Sequence, residues 1–213
     1  MKDFSRKELT GRDAYTEAYD LAVRDFLASN PEERARKSGA QFIPRDSRFE
    51  IRLPFLGREI KILVTPADKK IIFEPAEIHL TEKIVILHYL NGNADSPPAG
   101  ELIGFEGIPD GRQYLANFRG RTYVPLLKKF GSDPEKIIQA AAPLGGEKAE
   151  FGDFSVAIPA LPRVRIVVIL WRGDEELGPE SKIVFDRNIV NQLPVEDIIV
   201  LCNLISIRLI KLA

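Results

Sequence analysis

The spacing of apolar residues changes several times along the chain. Tyr15, Ala18, Tyr19, Ala22, Val23, Phe26 and Leu27 recur at helical spacing. They predict an amphipathic helix over about residues 12–29, capped by Thr10 or Asp13 and ended by Asn30–Pro31. Both tyrosines are expected to pack in the core. The charged segment PEERARKSGA predicts a short helical turn stopping at Gly39. From Arg48 to Pro75 the period shortens toward two. FEIRLPF and REIKILV flank Leu56–Gly57 as a hairpin, and KIIFEP after the turn PADKK completes a three-stranded antiparallel meander. IVILHYLNG reads as a helix with Thr81 as N-cap and Gly92 at its C-terminal end. ELIGFEGIPDG reads as a short strand entering a turn, and DPEKIIQAAAPLGG as a helix capped by Asp133 with Pro134 first.

The longest unbroken pattern lies between Asp153 and Asp186. Val164–Trp171 is apolar except for Arg165, rich in β-branched residues and bounded by Pro162 and Gly173. Such a run predicts a strand buried on both faces, flanked by strands at Phe154–Ile158 and Lys182–Phe185. Near the C-terminus, Val195–Lys211 is apolar around almost its whole circumference, with acids in its first turn and basic residues in its last. It predicts a buried helix, with a homodimer interface as the alternative use of one side. Cys202 on that helix reads as a small core residue. These elements predict an α+β fold with a largely antiparallel sheet. One domain over 1–213 is expected. The loop 91–100 is the boundary if there are two lobes, 1–91 and 100–213.

Composition narrows the possibilities. The 213 residues are 45% hydrophobic, and 30 basic residues balance 31 acidic ones for a net charge of −1. That balance argues against a general nucleic-acid binder. The single cysteine excludes an internal disulfide and a self-contained cysteine cluster. The polar N-terminus and the lack of a long apolar run predict neither a signal peptide nor a membrane span, so the cytoplasm is the expected compartment.

Chemistry concentrates in few places. Asp174, Glu175, Glu176 and Glu180 follow the central strand, directly after Trp171, and Asp153 and Asp186 stand at neighbouring strand ends. Converging carboxylates bind Mg²⁺ or Ca²⁺, or share a proton for acid–base work. The alternative is an exposed acidic turn that keeps a sheet end solvated. Trp171 is either a ligand platform or a core corner. The candidate ligand-binding residues are therefore Trp171, Asp174, Glu175, Glu176 and Asp186. Arg112 to Phe130 holds five cations and no acid, interleaved with Tyr114, Phe118, Tyr123 and Phe130. This suits an anion or nucleic-acid strand, or two helices with aromatics inside and charges outside. His79 and His88 are nine residues apart, which is not zincin spacing. Gly104, Gly107 and Gly111 match no phosphate-loop pattern. No cofactor is indicated.

The string LPRVRIVVILWRGDEELGPESKIVFDRN followed by LPVEDI resembles the C-terminal signature of an uncharacterised domain of anaerobic bacteria and archaea. ILHYLNGN, ELIGFEGIPDGRQY and PLLKKFG look like further blocks of that domain, which together span about residues 45 to 213. The matching positions are Trp171, Gly173, Asp174, Glu175, Glu176, Phe185, Asp186, Glu196 and Asp197, none with an assigned role. Leu177–Gly178 departs from the aromatic–proline pair of the pattern. The domain is one of unknown function, so the resemblance implies no activity. Some relatives carry it beside a four-cysteine iron–sulphur module, whose cysteines are missing here. That company suggests a binding or accessory protein in anaerobic metalloenzyme or corrinoid metabolism, with a protein or small-ligand partner. The acidic cluster suggests a metal-assisted, hydrolase-like enzyme as the alternative.

Overall fold

A computed structural model describes residues 11–92 and 95–213. Two helices open the described chain, α1 (Gly11–Ala28) and α2 (Pro31–Ser38). The Asn30 side chain accepts from the amides of Glu32 and Glu33 to cap α2, and Gly39 ends it in the left-handed region at φ 73°. Thr10 lies outside the described residues, and Asp13 falls inside α1 rather than before it. Tyr19 is half-buried as expected, but Tyr15 is 47% exposed, so the helix turns only part of its apolar stripe inward.

A four-stranded antiparallel sheet follows: β1 (Gln41–Pro44), β2 (Phe49–Phe55), β3 (Arg58–Thr65) and β4 (Lys70–Glu74), in that order. Leu56 and Gly57, at φ 49° and 79°, make the two-residue turn between β2 and β3. β1 extends the expected three-stranded meander. Its four residues are too short, and Pro44 too strand-averse, to stand out from loop sequence.

Helix α3 (Leu80–Asn91) begins two residues earlier than a Thr81 cap would place it, with His79 at the cap. The Glu82 side chain accepts the His79 amide at 3.1 Å and fixes this start. Gly92 ends α3 with extended backbone, φ −72°, not left-handed. Glycine is needed there for a different reason: a Cβ would lie 2.6 Å from the Gln192 carbonyl oxygen.

The second sheet contains β5 (Leu102–Gly104), β6 (Glu147–Lys148), β7 (Phe154–Leu161), β8 (Val164–Trp171) and β9 (Glu180–Asp186), ordered β5-β9-β8-β7-β6 and antiparallel throughout. β8 is its middle strand. Val164, Ile166, Val168 and Leu170 join the main core, while Val167 and Ile169 form a small cluster on the opposite face with Ala157 and Val184. Between β5 and β6 run α4 (Leu115–Arg121), α5 (Tyr123–Phe130) and α6 (Lys136–Ala141). α6 starts two residues after Pro134, because the preceding turn closes with i→i+3 bonds from the Lys136, Ile137 and Ile138 amides to the Asp133, Pro134 and Glu135 carbonyls. After β9 come a single turn, α7 (Ile189–Gln192), and the C-terminal α8 (Val195–Leu212).

One apolar core draws on both sheets and on helices α1, α3, α5, α6 and α8, through fully buried Phe26, Ile62, Ile86, Phe130, Val168 and Leu201. The sheets are stitched directly where the Leu56 amide donates to the Ala160 carbonyl at 3.1 Å. Cys202 is fully buried, and burial pushes its thiol well above the ordinary range. No helix of the described residues is long and apolar enough to cross a membrane.

Candidate functional site at the Trp171 end of the second sheet

β8 and β9 form a hairpin in which Trp171 pairs with Glu180, and residues 172–179 make the connection. Gly173 permits a close crossing: a Cβ there would lie 2.8 Å from the Pro179 nitrogen and 2.9 Å from the Leu177 carbonyl oxygen. Asp174 then closes the loop on itself. Its Oδ1 accepts from the amides of Glu176 (2.9 Å) and Leu177 (2.7 Å), and its own amide donates to the Leu177 carbonyl at 2.8 Å. The Leu177 and Glu176 amides hold the carboxyl below its ordinary value. Asp174, Glu175 and Glu176 are all exposed, and Leu177 projects with 71% of its surface exposed.

Trp171 is half-buried. The loop 149–153 lies across it; a Cβ on Gly152 would meet the indole Nε1 at 3.0 Å and Ile169 Cγ2 at 2.7 Å. Phe151 on that loop is 42% exposed. Asp153 Oδ2 accepts the Arg172 amide at 2.8 Å, and the Arg172 guanidinium sits 4.8 Å from the Phe154 ring centroid. The candidate tryptophan therefore packs against the Gly152 turn of one aspartate-anchored loop and leads directly into a second, and each loop carries an exposed hydrophobic residue.

Asp186 does not join this group. It ends β9, six residues from Glu180, so it lies about 20 Å along the strand from Trp171. Its carboxylate accepts the amides of Ala99 and Gly100, both at 2.9 Å, and of Asn188 at 2.8 Å, tying the segment before β5 to the strand end. Partial burial pulls the carboxyl up, but these amides outweigh it and hold the group below its ordinary value. The expected convergence of Asp186 with the acid triplet is thus corrected by strand direction. Among the described residues, no group of three or more His, Cys, Asp or Glu side chains is placed to hold a metal ion.

The basic–aromatic stretch resolves into its packed form. Phe118 stacks on Phe105 at 4.1 Å with Tyr123 edge-on at 5.5 Å, while Arg112, Arg119, Arg121, Lys128 and Lys129 are exposed. Phe118, Tyr123 and Phe130 are thereby enclosed, and Tyr114 is half-buried. Cavities of about 370 and 510 Å³ meet at Gly145 and Pro159, at the opposite end of β8 from Trp171.

Two polar centres carried no clear sequence signal. Glu82, almost fully buried, accepts from Arg58 at 2.9 Å and from Arg208, joining β3, α3 and α8. His88 Nδ1 lies 2.6 Å from Asp197 Oδ2, joining α3 to the first turn of α8. Both acids sit in apolar helical runs, where one charged residue looks like an ordinary surface position.

Two antiparallel sheets sharing a core with flanking helices define an α+β protein with an acidic, apolar-tipped rim on its second sheet. The family described as Domain of unknown function (DUF3786) matches residues 30–208, and this chain belongs to it. No curated protein and no solved structure matches the chain.

Proposed function

We propose that this is a binding or accessory protein that recognises a protein partner through the Trp171 rim. One observation carries the reading. Leu177, 71% exposed, is held outward by a loop that Asp174 has closed with its own carboxylate. A hydrophobic tip fixed before binding loses little further entropy when a partner covers it. Trp171, at the root of the same loop, is a residue type common at binding hot spots. Glu175 and Glu176 give the rim a charge suited to a basic partner surface. A single cysteine with no internal disulfide suits a cytoplasmic setting, and the company of the family suggests anaerobic metalloenzyme or corrinoid metabolism, which thermal shift with added cobalamins would probe.

The test is retention of partners from host extract by the full chain and by two variants. Leu177→Asp should lose a partner that Val124→Asp, at another exposed apolar position, retains. Equal retention by both variants refutes the reading. So does a hydrolytic turnover abolished by Asp174→Asn, since asparagine keeps the loop-closing oxygen and removes only the charge.

A further inference from the structure

Each sheet has two edges, and the four edge strands differ in length. β1 has four residues including Pro44, β5 has three, β6 has two and β4 has five. β4 is the longest. It contains no proline, and its pairing with β3 is regular from Lys70 to Glu74. Among the described residues no strand pairs with its other side. Folded proteins usually blunt such an edge, since a row of unpaired amides and carbonyls is a template for another strand.

The β4 sequence, Lys70-Ile71-Ile72-Phe73-Glu74, is complementary to itself when run antiparallel. With a twofold axis at Ile72, Lys70 faces Glu74 of the second copy, Ile71 faces Phe73, and Ile72 faces Ile72. Every cross-strand pair is then favourable: two ion pairs, two aliphatic–aromatic pairs and one aliphatic pair. Either choice of outward-facing backbone groups satisfies this register, with about four to six hydrogen bonds across the axis. The faces agree as well. Phe73 is buried on the core side with Ile62 and Val64, while Ile72 is 43% exposed on the outer side. On that outer face Ile43, Glu50, Leu63 and Ile72 are aligned across successive strands by the register. The row ends in the exposed Ile72 at the open edge, and a second copy continues it.

From this self-complementarity we infer that the chain forms a twofold homodimer by antiparallel pairing of β4 with β4, joining two four-stranded sheets into one of eight. The contact is isologous, so it closes at two copies instead of propagating. Five-residue strands bury little area, which makes this a weak dimer with a Kd of about 10 to 100 µM. The inference is independent of the Trp171 rim, which lies on the other sheet.

Sedimentation equilibrium of the full chain from about 5 to 500 µM tests it. The native chain should show a monomer–dimer equilibrium. Lys70→Glu alone and Glu74→Lys alone each place like charges opposite one another twice, and each should raise Kd about tenfold or more. An equimolar mixture of the two variants should recover association, because every charged pair in the mixed dimer is opposite again. Far-UV circular dichroism of each variant confirms that it is folded. A native chain that stays monomeric throughout overturns the inference. So does a dimer that neither variant weakens, which would place the interface elsewhere, such as on α8. A mixture associating no better than its components overturns it too.

Discussion

Replacing Glu82 with alanine tests how the two halves of the molecule are held together. Glu82 lies three residues after the α3 cap, and its side chain is 3% exposed. One oxygen accepts the His79 amide and Arg58; the other accepts Arg208 from the C-terminal helix. Arg208 also lies 5.7 Å from the Phe55 ring centroid, so the carboxylate anchors a cation at the β2–β3 turn. Deletion removes a capping interaction of about 1 kcal/mol. It also removes two charge-assisted hydrogen bonds of about 1.5 to 3 kcal/mol each before compensation. The arginines are 33% and 21% exposed, so each recovers part of its hydration by turning outward. Allowing about 1 kcal/mol net for each, the total is about 3 kcal/mol, at the lower end of the roughly 3–5 kcal/mol typical of fully enclosed pairs. In a chain of this size that lowers Tm by about 6 to 12 °C.

Denaturant unfolding of native, Glu82→Ala and Glu82→Gln chains gives the measurement. Glutamine keeps an acceptor for the His79 amide and loses the charge, so it should fall between the other two. A loss below about 1 kcal/mol for alanine would refute the reasoning, since it would mean the arginines do not depend on this carboxylate.

Two further outcomes follow from the polar contacts. The buried Tyr89 hydroxyl donates to the Ser38 carbonyl at 2.7 Å and accepts the Arg163 amide at 3.1 Å, and burial raises its pKa to about 12. Tyr89→Phe leaves both groups unpaired and should cost about 2 kcal/mol in denaturant unfolding; a cost under about 0.5 kcal/mol contradicts this role. For His88, the hydrogen bond to Asp197 raises the pKa above its ordinary 6.5, against the opposing effect of burial. The stabilisation is therefore full below about pH 6.5 and fades as pH rises through the elevated folded value. Unfolding free energies measured from pH 5.5 to 9 should show this decline in the native chain and lose it in His88→Gln, and identical profiles would contradict it.

The second sheet was readable because its middle strand is buried on both faces. Ile166 to Leu170 had to be continuously apolar, and a continuous β-branched run is visible without tertiary information. The β2–β3 hairpin was readable for a local reason, the left-handed Leu56–Gly57 pair between two alternating runs. What escaped depended on distant chain. β1 exists as a strand only because β2 pairs with it. Gly92 looked like a left-handed helix end, yet the constraint on it is the Gln192 backbone one hundred residues later. The α3 start shifted to His79 because Glu82, held by two arginines from other elements, turns back to cap it.

The candidate site was half readable, and strand direction divides the halves. A loop of residues 172–179 between β8 and β9 makes the two strands antiparallel, so the end of β9 must lie away from Trp171. Proximity to a strand end was therefore the wrong criterion for Asp186; the criterion is which end. The other aspartates raise a chemical point. A carboxylate binds a cation with the same oxygens that accept backbone amides, and residue spacing does not reveal which task has taken them. Here Asp153, Asp174 and Asp186 accept amides of Arg172, of Glu176 and Leu177, and of Ala99, Gly100 and Asn188. Asp186 engages both of its oxygens on amides, while Asp153 and Asp174 engage one each, so the amides already stabilise these carboxylates in place of a cation. Asp153 and Asp174 therefore shape the loops of the rim while Asp186 ties the far end of β9, and under the proposed function Glu175, Glu176, Trp171 and Leu177 are the side chains that meet a partner. Under the proposed function, that division makes Leu177 the position whose replacement should weaken partner binding most.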